Sequence, residues 1–349
     1  MSAAARARSL LTPKTVGWTV VVALAAAFPY LGASRFALHL GMLVFIWAVV
    51  ASYWNLLNGY AGILSLGNLG FFAMGAYLSA VMAIELDISP FITTVLAGIV
   101  AAVIVTVLLG LPVLRLRGIY IALLTLVFAD ALPSIISLTR QWTGGGVGLL
   151  GIPTFLPGLE RWQGYYFALL FCVMAHVVLA RIIHGRTGLA FVALRDSEDF
   201  AVAIGVDRFR EGVKVFAISS FFTAMAGAVF AHTLGQLSPG MLAIDQFVMV
   251  ISMWLLGGAG TLAGPVVGAA LVTVGNEYLR VYGSLRLGVL GAAILLVVLF
   301  FPGGIVQLAG TVTAWFRRDS GGRASPQPPV TTGGPTAARG GDAAARART

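Results

Sequence analysis

Long apolar runs alternate with short polar interruptions along the chain. The runs cover residues 16–33, 36–57, 63–84, 89–112, 118–138, 165–183, 213–236, 244–260, 264–282 and 285–302. Each is long enough for an α-helix to cross the roughly 30 Å hydrocarbon layer of a bilayer. The pattern predicts an all-α polytopic membrane protein of about ten transmembrane helices. The longest polar stretches are 139–164, 184–214 and the tail after residue 316. None is long enough to bury a core of its own, so no soluble catalytic domain is expected.

Composition agrees: 59% of the 349 residues are hydrophobic and 10% are charged, with a mean hydropathy of +0.94. The formal charge of +9 would point to nucleic acid in a soluble protein, but here it reads first as a topology signal. With the N-terminus inside, the inner segments hold seventeen of the 22 Lys and Arg residues. These are Arg6, Arg8 and Lys14; Arg115 and Arg117; Arg181, Arg186, Arg195, Arg208, Arg210 and Lys214; and Arg317, Arg318, Arg323, Arg339, Arg346 and Arg348. The outer side keeps Arg35, Arg140, Arg161, Arg280 and Arg286. That asymmetry places both termini in the cytoplasm and removes the need for a nucleic-acid partner. The first run follows basic residues and ends near Gly32, Ala33 and Ser34, as a cleaved signal peptide would. Its apolar length of about 17 residues favours a retained span. The expected organisation is a cytoplasmic segment 1–15, a membrane domain 16–316 holding the loop 184–214, and a disordered cytoplasmic tail 317–349 rich in Gly, Pro, Ala and Arg, whose one physical role would be weak attraction to anionic lipid.

Several chemistries are excluded. Cys172 is the one cysteine and cannot form an intramolecular disulfide. The histidines His39, His176, His184 and His232 show no paired metal spacing. No GxxxxGK[ST] surrounds Lys14 or Lys214, so the chain does not bind ATP through a P-loop. No nucleophile, metal set or acid–base pair supports a membrane enzyme, and no cofactor or metal is expected.

Two glycine-rich stretches stand out. The first, NLLNGYAGILSLGNLGFFAMGAYLSA over residues 55–80, sets Gly59, Gly62, Gly67, Gly70 and Gly75 among Asn58, Ser65 and Asn68. Glycines at this spacing let helices approach closely. The added polar groups fit a helix interrupted against protein or a water-filled path. The second, WLLGGAGTLAGPVVGAA over residues 254–270, aligns Leu255-Leu256 with Leu56-Leu57 and hints at a parallel internal repeat. Gly258, Gly260 and Ala263 also satisfy GxGxxA, but between apolar spans rather than in a strand–turn–helix unit, so a dinucleotide site is rejected. Asp130 lies mid-span in GIYIALLTLVFADALPSIISL, beyond Thr125 and three residues before Pro133. An acid at that depth is costly and marks either a polar contact of a substrate path, an ion carrier or a packing hydrogen bond. Glu277 has Arg280 one turn away to pair with. RQWTGGGVGLLGIP over residues 140–153 could form a backbone nest for a carboxylate, with a flexible surface loop as the simpler expectation.

The remaining feature is HGRTGLAFVALRDSEDFAVAIGVDRFREGVK over residues 184–214, with five basic and five acidic residues. Glu198, Ala201 and Gly205 are spaced to line one face of a helix. Small residues on that face suit close contact with a partner, and a connector between spans needs far fewer residues than this. Arg195, Asp196, Glu198, Ala201 and Gly205 spell R-[DE]-x-E-x-x-A-x-x-x-G. The segment resembles the cytoplasmic coupling segment of branched-chain amino acid ABC transporter permeases of the LivM type. The same resemblance runs, in the family's order from about residue 40 to 308, through NLLNGYAGILSLGNLGFFAMGAY, LRLRGIYIALLTLVFAD, TGGGVGLLGIP, KVFAISSFFTAMAGAVFAH and GGAGTLAGPVVGAAL.

The resemblance implies a multi-pass permease subunit of a bacterial plasma membrane. It would pair with a second homologous permease, dock two cytoplasmic ATP-binding subunits and receive solute from an extracytoplasmic binding protein. Arg195, Asp196, Glu198, Ala201 and Gly205 would couple to the ATPases. Asn58, Gly59, Gly62, Ser65, Gly67, Asn68, Thr125 and Asp130 would belong to the translocation path. The chain departs from the family pattern at Asn68, where histidine is common, at Asp130, where glutamate is usual, and at Val147 and Gly303, which replace an asparagine and an arginine. Those departures admit amides or aromatic acids as cargo beside leucine, isoleucine and valine. The alternative is an ion-coupled secondary transporter or channel built on Asp130.

Overall fold

The computed structural model describes residues 13–113, 116, 118–155, 161–283, 285–300 and 304–305. Arg115, Arg117, Gly303, the basic residues before 13 and after 316, and the tail 317–349 lie outside the described residues. Helices form at the apolar runs: α1 (Pro13–Ala27), α2 (Arg35–Asn55), α3 (Asn68–Glu85), α4 (Pro90–Val105), α5 (Ile119–Leu138) and α6 (Arg161–Ile183). Two polar helices follow, α7 (Arg186–Asp196) and α8 (Glu198–Ala203), before α9 (Arg208–Leu234), α10 (Ile244–Gly257), α11 (Gly264–Leu279) and α12 (Leu285–Phe300). Among the described residues six helices are long and apolar enough to cross a membrane: Arg35–Tyr60, Asn68–Glu85, Pro90–Gly110, Ile119–Leu138, Trp162–Ile183 and Arg208–Leu234. The chain is a polytopic all-α membrane protein.

Local chemistry sets the helix ends. Ser34 accepts a hydrogen bond from the Ala37 amide to open α2, and Asp207 does the same from Arg210 for α9, each satisfying an N–H that the helix leaves free. Gly235 closes α9 in the left-handed region at φ 70°.

α9 is the centre of the bundle and packs along α3, α4 and α2, while α11 and α6 flank α2. The core holds Tyr53, Trp54, Phe71, Phe72 and Phe216, all fully buried. Tyr53 stacks on Phe222 with ring centroids 4.5 Å apart, donates to the Ala175 carbonyl at 2.8 Å, and its own carbonyl accepts from Ser219. Without a hydrophobic drive between helices in lipid, such packing and hydrogen bonds hold the bundle. The α3–α9 crossing depends on two glycines. A Cβ on Gly75 would strike the Ala224 backbone, and one on Gly227 the Phe72 backbone.

Two segments depart from the sequence-based expectation. The third apolar run was expected to be helical from residue 63, yet α3 starts at Asn68 and residues 61–67 are not helical; the side chains that make this affordable are described below. The stretch 140–153, expected to be a flexible loop, is built into the fold. Its β1 (Leu149–Leu150) pairs antiparallel with β2 (Gln236–Leu237). The buried His232 ring reaches the Pro153 carbonyl at 2.6 Å through Nδ1 and Ser79 at 2.8 Å through Nε2. The Gly145 and Gly148 amides are spent on Thr143 Oγ1 and the Gly145 carbonyl, which argues against a carboxylate nest.

Gly75→Ala and Gly227→Ala are each expected to destabilise the protein by about 1–3 kcal/mol through overpacking. Gly275→Ala, which meets nothing within 4 Å, should stay within about 0.5 kcal/mol of the parent. Thermal unfolding in detergent measures all three.

Candidate functional site

Where α2 ends, the chain turns through one π turn at Leu56–Tyr60 and stays off the helical path until Asn68. Leaving a helix strands backbone groups that bilayer lipid cannot satisfy. Here side chains satisfy them. Asn58 Oδ1 accepts from the Ser65 amide at 2.9 Å, and the Ser65 carbonyl accepts from Trp54 Nε1 at 2.7 Å and Asn58 Nδ2 at 3.3 Å. Thr125 Oγ1, from α5, accepts from the Leu66 amide at 2.9 Å. Gly67 is needed because a Cβ there would press on the Thr125 backbone. Gly62 turns the chain at φ 67°.

The second glycine-rich stretch makes the α10–α11 hairpin. Gly258 at φ 120° and Gly260 at φ 72° turn the chain, and a Cβ on Gly257 or Gly268 would strike the facing helix backbone. The hairpin tip rests on the end of α2. Buried Asn55 accepts from the Gly260 amide at 2.8 Å and from Trp254 Nε1 at 3.0 Å, and donates to the Thr261 carbonyl at 2.8 Å. The two stretches aligned as a repeat in sequence are therefore neighbours in space.

The charged loop meets the same place. Arg195 NH1 donates to the Gly59 carbonyl at 2.8 Å. A cation against the last carbonyls of a helix suits both their free lone pairs and the helix dipole. Asp196 holds the guanidinium from the other side at 2.8 Å. Glu198 pairs with Arg208 at 3.0 Å, and Arg208 also donates to the Leu116 carbonyl at 3.2 Å. A cleft of about 330 Å³ lies between this loop and the helices, lined by Gly62, Gly118, Ile121, Phe191 and Val215.

The expected single helical face of Glu198, Ala201 and Gly205 is not formed. Ser197, extended at φ −158°, ends α7 and caps α8 by accepting from the Phe200 amide. Arg195 and Asp196 thus stand on one helix and Glu198 and Ala201 on the next, and Gly205, at φ 92°, lies past the end of α8. Ala201 is buried, and α8 and its following turn expose Phe200, Val202 and Ile204 at 64%, 51% and 61% beside the charged Asp199.

The other expected site residues divide. Asn58, Ser65, Gly67 and Thr125 form one cluster, and Gly59 and Gly62 join it to Arg195. Asn68 turns away, 3.4 Å from the Val50 carbonyl and Thr223 Oγ1, with its Oδ1 buried and unpartnered among the described residues. Asp130 meets none of them; it is exposed mid-helix on α5, whose span is 28% buried against 67% for α3 and α9. Glu277 and Arg280 pair at 3.4 Å as expected. Asn55 and Arg208 escaped the sequence reading; the one signal for Asn55 was an amide closing an apolar run directly before a glycine turn. Among the described residues no group of His, Cys, Asp or Glu is placed to hold a metal ion.

The family model for branched-chain amino acid transport system / permease component matches residues 36–299, a range that takes in the broken helix, the charged loop and the hairpin. The chain belongs to this permease family. LivM, a high-affinity branched-chain amino acid transport system permease protein, is 29% identical over 315 residues in both Escherichia coli and Salmonella typhimurium, covering 82% of this chain and 74% of each relative. LsrC, an autoinducer 2 import system permease protein of Salmonella typhimurium, is 30% identical over 190 residues, 49% of this chain and 53% of its own. No solved structure matches. The chain is the permease component of a transport system.

Thr125→Val keeps the shape but leaves the Leu66 amide without its acceptor, at an expected cost of about 1–3 kcal/mol. Asp130→Asn, with no described partner to lose, should change stability by less than about 0.5 kcal/mol. Thermal unfolding of the detergent-solubilised protein separates the two.

Proposed function

We propose that the chain is the membrane subunit of an ATP-driven importer of branched-chain amino acids or related small amphipathic solutes. It works beside a second homologous permease, over two cytoplasmic ATP-binding subunits and beneath an extracytoplasmic binding protein. ATPase closure displaces the charged loop, and the helices it bears on switch access between the two sides. The observation that carries this reading is the apolar surface of Phe200, Val202 and Ile204, outside the long apolar helices on a loop tied to the body by Arg195 and Arg208. Such a patch on a polar segment marks a protein contact. On this reading ATP-binding partners are required, because no GxxxxGK[ST] occurs in the sequence.

Cysteine at Ser197 or Asp199 is expected to crosslink to an ATP-binding subunit in the assembled, active complex; no crosslink there would sink the docking role. Glu198→Leu breaks the pair with Arg208 and should let ATP hydrolysis continue while uptake falls, read as ATP consumed per solute imported.

Asp130 supports the placement of the path at the boundary with the second permease. A mid-span carboxyl exposed on this chain is untenable against lipid and calls for a protein or water-filled surface opposite. Asp130→Asn is expected to reduce uptake while leaving its ATP dependence intact. Uptake that survives ATPase inhibition yet collapses with a protonophore, and with Asp130→Asn, would instead establish the ion-coupled alternative.

A further inference from the structure

Arg195 is the residue of the charged loop whose side chain reaches the glycine-rich turns. Its guanidinium is braced by Asp196 through Nε at 2.9 Å and NH2 at 2.8 Å, and its remaining nitrogen holds the Gly59 carbonyl at 2.8 Å. The aliphatic stem lies over Gly62, where a Cβ would come within 2.6 Å of Arg195 Cγ, and its NH1 stands 3.5 Å from the place a Cβ on Gly260 would take. Gly59 in turn is pressed between Asn55 and Gly260, so that a Cβ there would meet the Asn55 Oδ1 and the Gly260 amide. One helical turn before Gly59, Asn55 holds the Gly260 amide, the Trp254 indole and the Thr261 carbonyl. A charge-assisted contact thus joins the loop to the first turn, and an amide with three hydrogen bonds joins the first turn to the second. Both joints are close-packed around glycines, and packed interiors transmit displacement instead of absorbing it. The cleft of about 330 Å³ beside them gives the loop room to move.

From this geometry we infer that Arg195 is a positioning residue that carries movement of the charged loop to both glycine-rich turns at once, with Asn55 as the joint between them. The inference rests on the docking role proposed above and assigns Arg195 to the inner side of that contact, away from the ATPase. Gly59 and Gly260 lie in the two glycine-rich turns, so a single push would move both turns together.

The test is the complete transporter in liposomes, with its ATP-binding subunits, second permease and binding protein. Arg195→Met, Arg195→Lys and Asn55→Ser are compared for co-purification of the ATPases and for ATP hydrolysed per solute imported. Arg195→Met is expected to retain the ATPases and hydrolyse ATP but to import about tenfold less solute per ATP, within the usual range of coupling between sites. Arg195→Lys, which keeps a donor for Gly59, should recover part of that loss. Asn55→Ser should reproduce the loss from a position far from the docking face, and the double variant should be no worse than the poorer single one, since both residues act in one relay. Wild-type solute per ATP in Arg195→Met or Asn55→Ser, or losses that multiply in the double variant, overturns the inference. Should Arg195→Met fail to assemble, Arg195→Lys and Asn55→Ser decide it by the same measure. Failure of the unaltered chain to retain the ATPases would count against the docking role itself.

Discussion

A backbone that leaves the helical path inside a bilayer must still find a partner for every N–H and C=O, and that constraint shapes the centre of this protein. Between Tyr60 and Asn68 the helical ladder is absent, and the side chains of Asn58, Trp54 and Thr125 take its place. Each supplies a fixed hydrogen bond to a named backbone group, so the break is a defined shape and not slack. Thr125 matters most in this set because it comes from α5, which otherwise has little buried surface. The broken segment therefore positions α5, and with it the exposed Asp130.

The same constraint explains why the glycines and the polar residues occur together. An amide side chain can cap a strand of backbone only if the backbone comes within about 3 Å of it. At Gly59, Gly67 and Gly257 a single Cβ would prevent that approach. The glycines bring main chain to main chain, and Asn55, Asn58 and Thr125 convert the proximity into directed bonds. Arg195 extends the principle to the end of the bundle, where a carbonyl left free by the π turn accepts a charged donor that the helix dipole also favours.

Much of this was legible in the sequence, for identifiable reasons. Apolar run length predicted the helices because hydrocarbon thickness sets it, and Asn58, Ser65 and Gly62 marked the break because lipid does not tolerate such groups without cause. The period that placed Glu198, Ala201 and Gly205 on one face assumed an uninterrupted helix. That helix ends too soon: it stops at Ala203 and Gly205, at φ 92°, lies beyond it, while Ser197, a good N-cap, starts it in a new direction and so separates it from Arg195 and Asp196. The loop 140–153 was misread because triple glycine reads as freedom, whereas its order comes from partners far along the chain, Leu237 and His232. Asn55 went unnoticed because its role depends on Gly260 and Thr261, about two hundred residues away. Long-range contacts of that kind leave no local pattern.

The spatial separation of Asp130 from Arg195 bears on how such a subunit would work under the proposed function. Asp130 shares a helix with Thr125 and is one and a half turns beyond it, on a face this chain leaves open. Arg195 bears on the far end of the broken segment that Thr125 clamps. A shift of the charged loop would reach Gly59 and Gly62 together, then the rest of the segment 61–67, then α5 through Thr125. The exposed carboxyl would thus be moved without being touched by the loop. If solute passes along that open face, the residues that meet it need not be those that respond to ATP, and the two sets can vary independently.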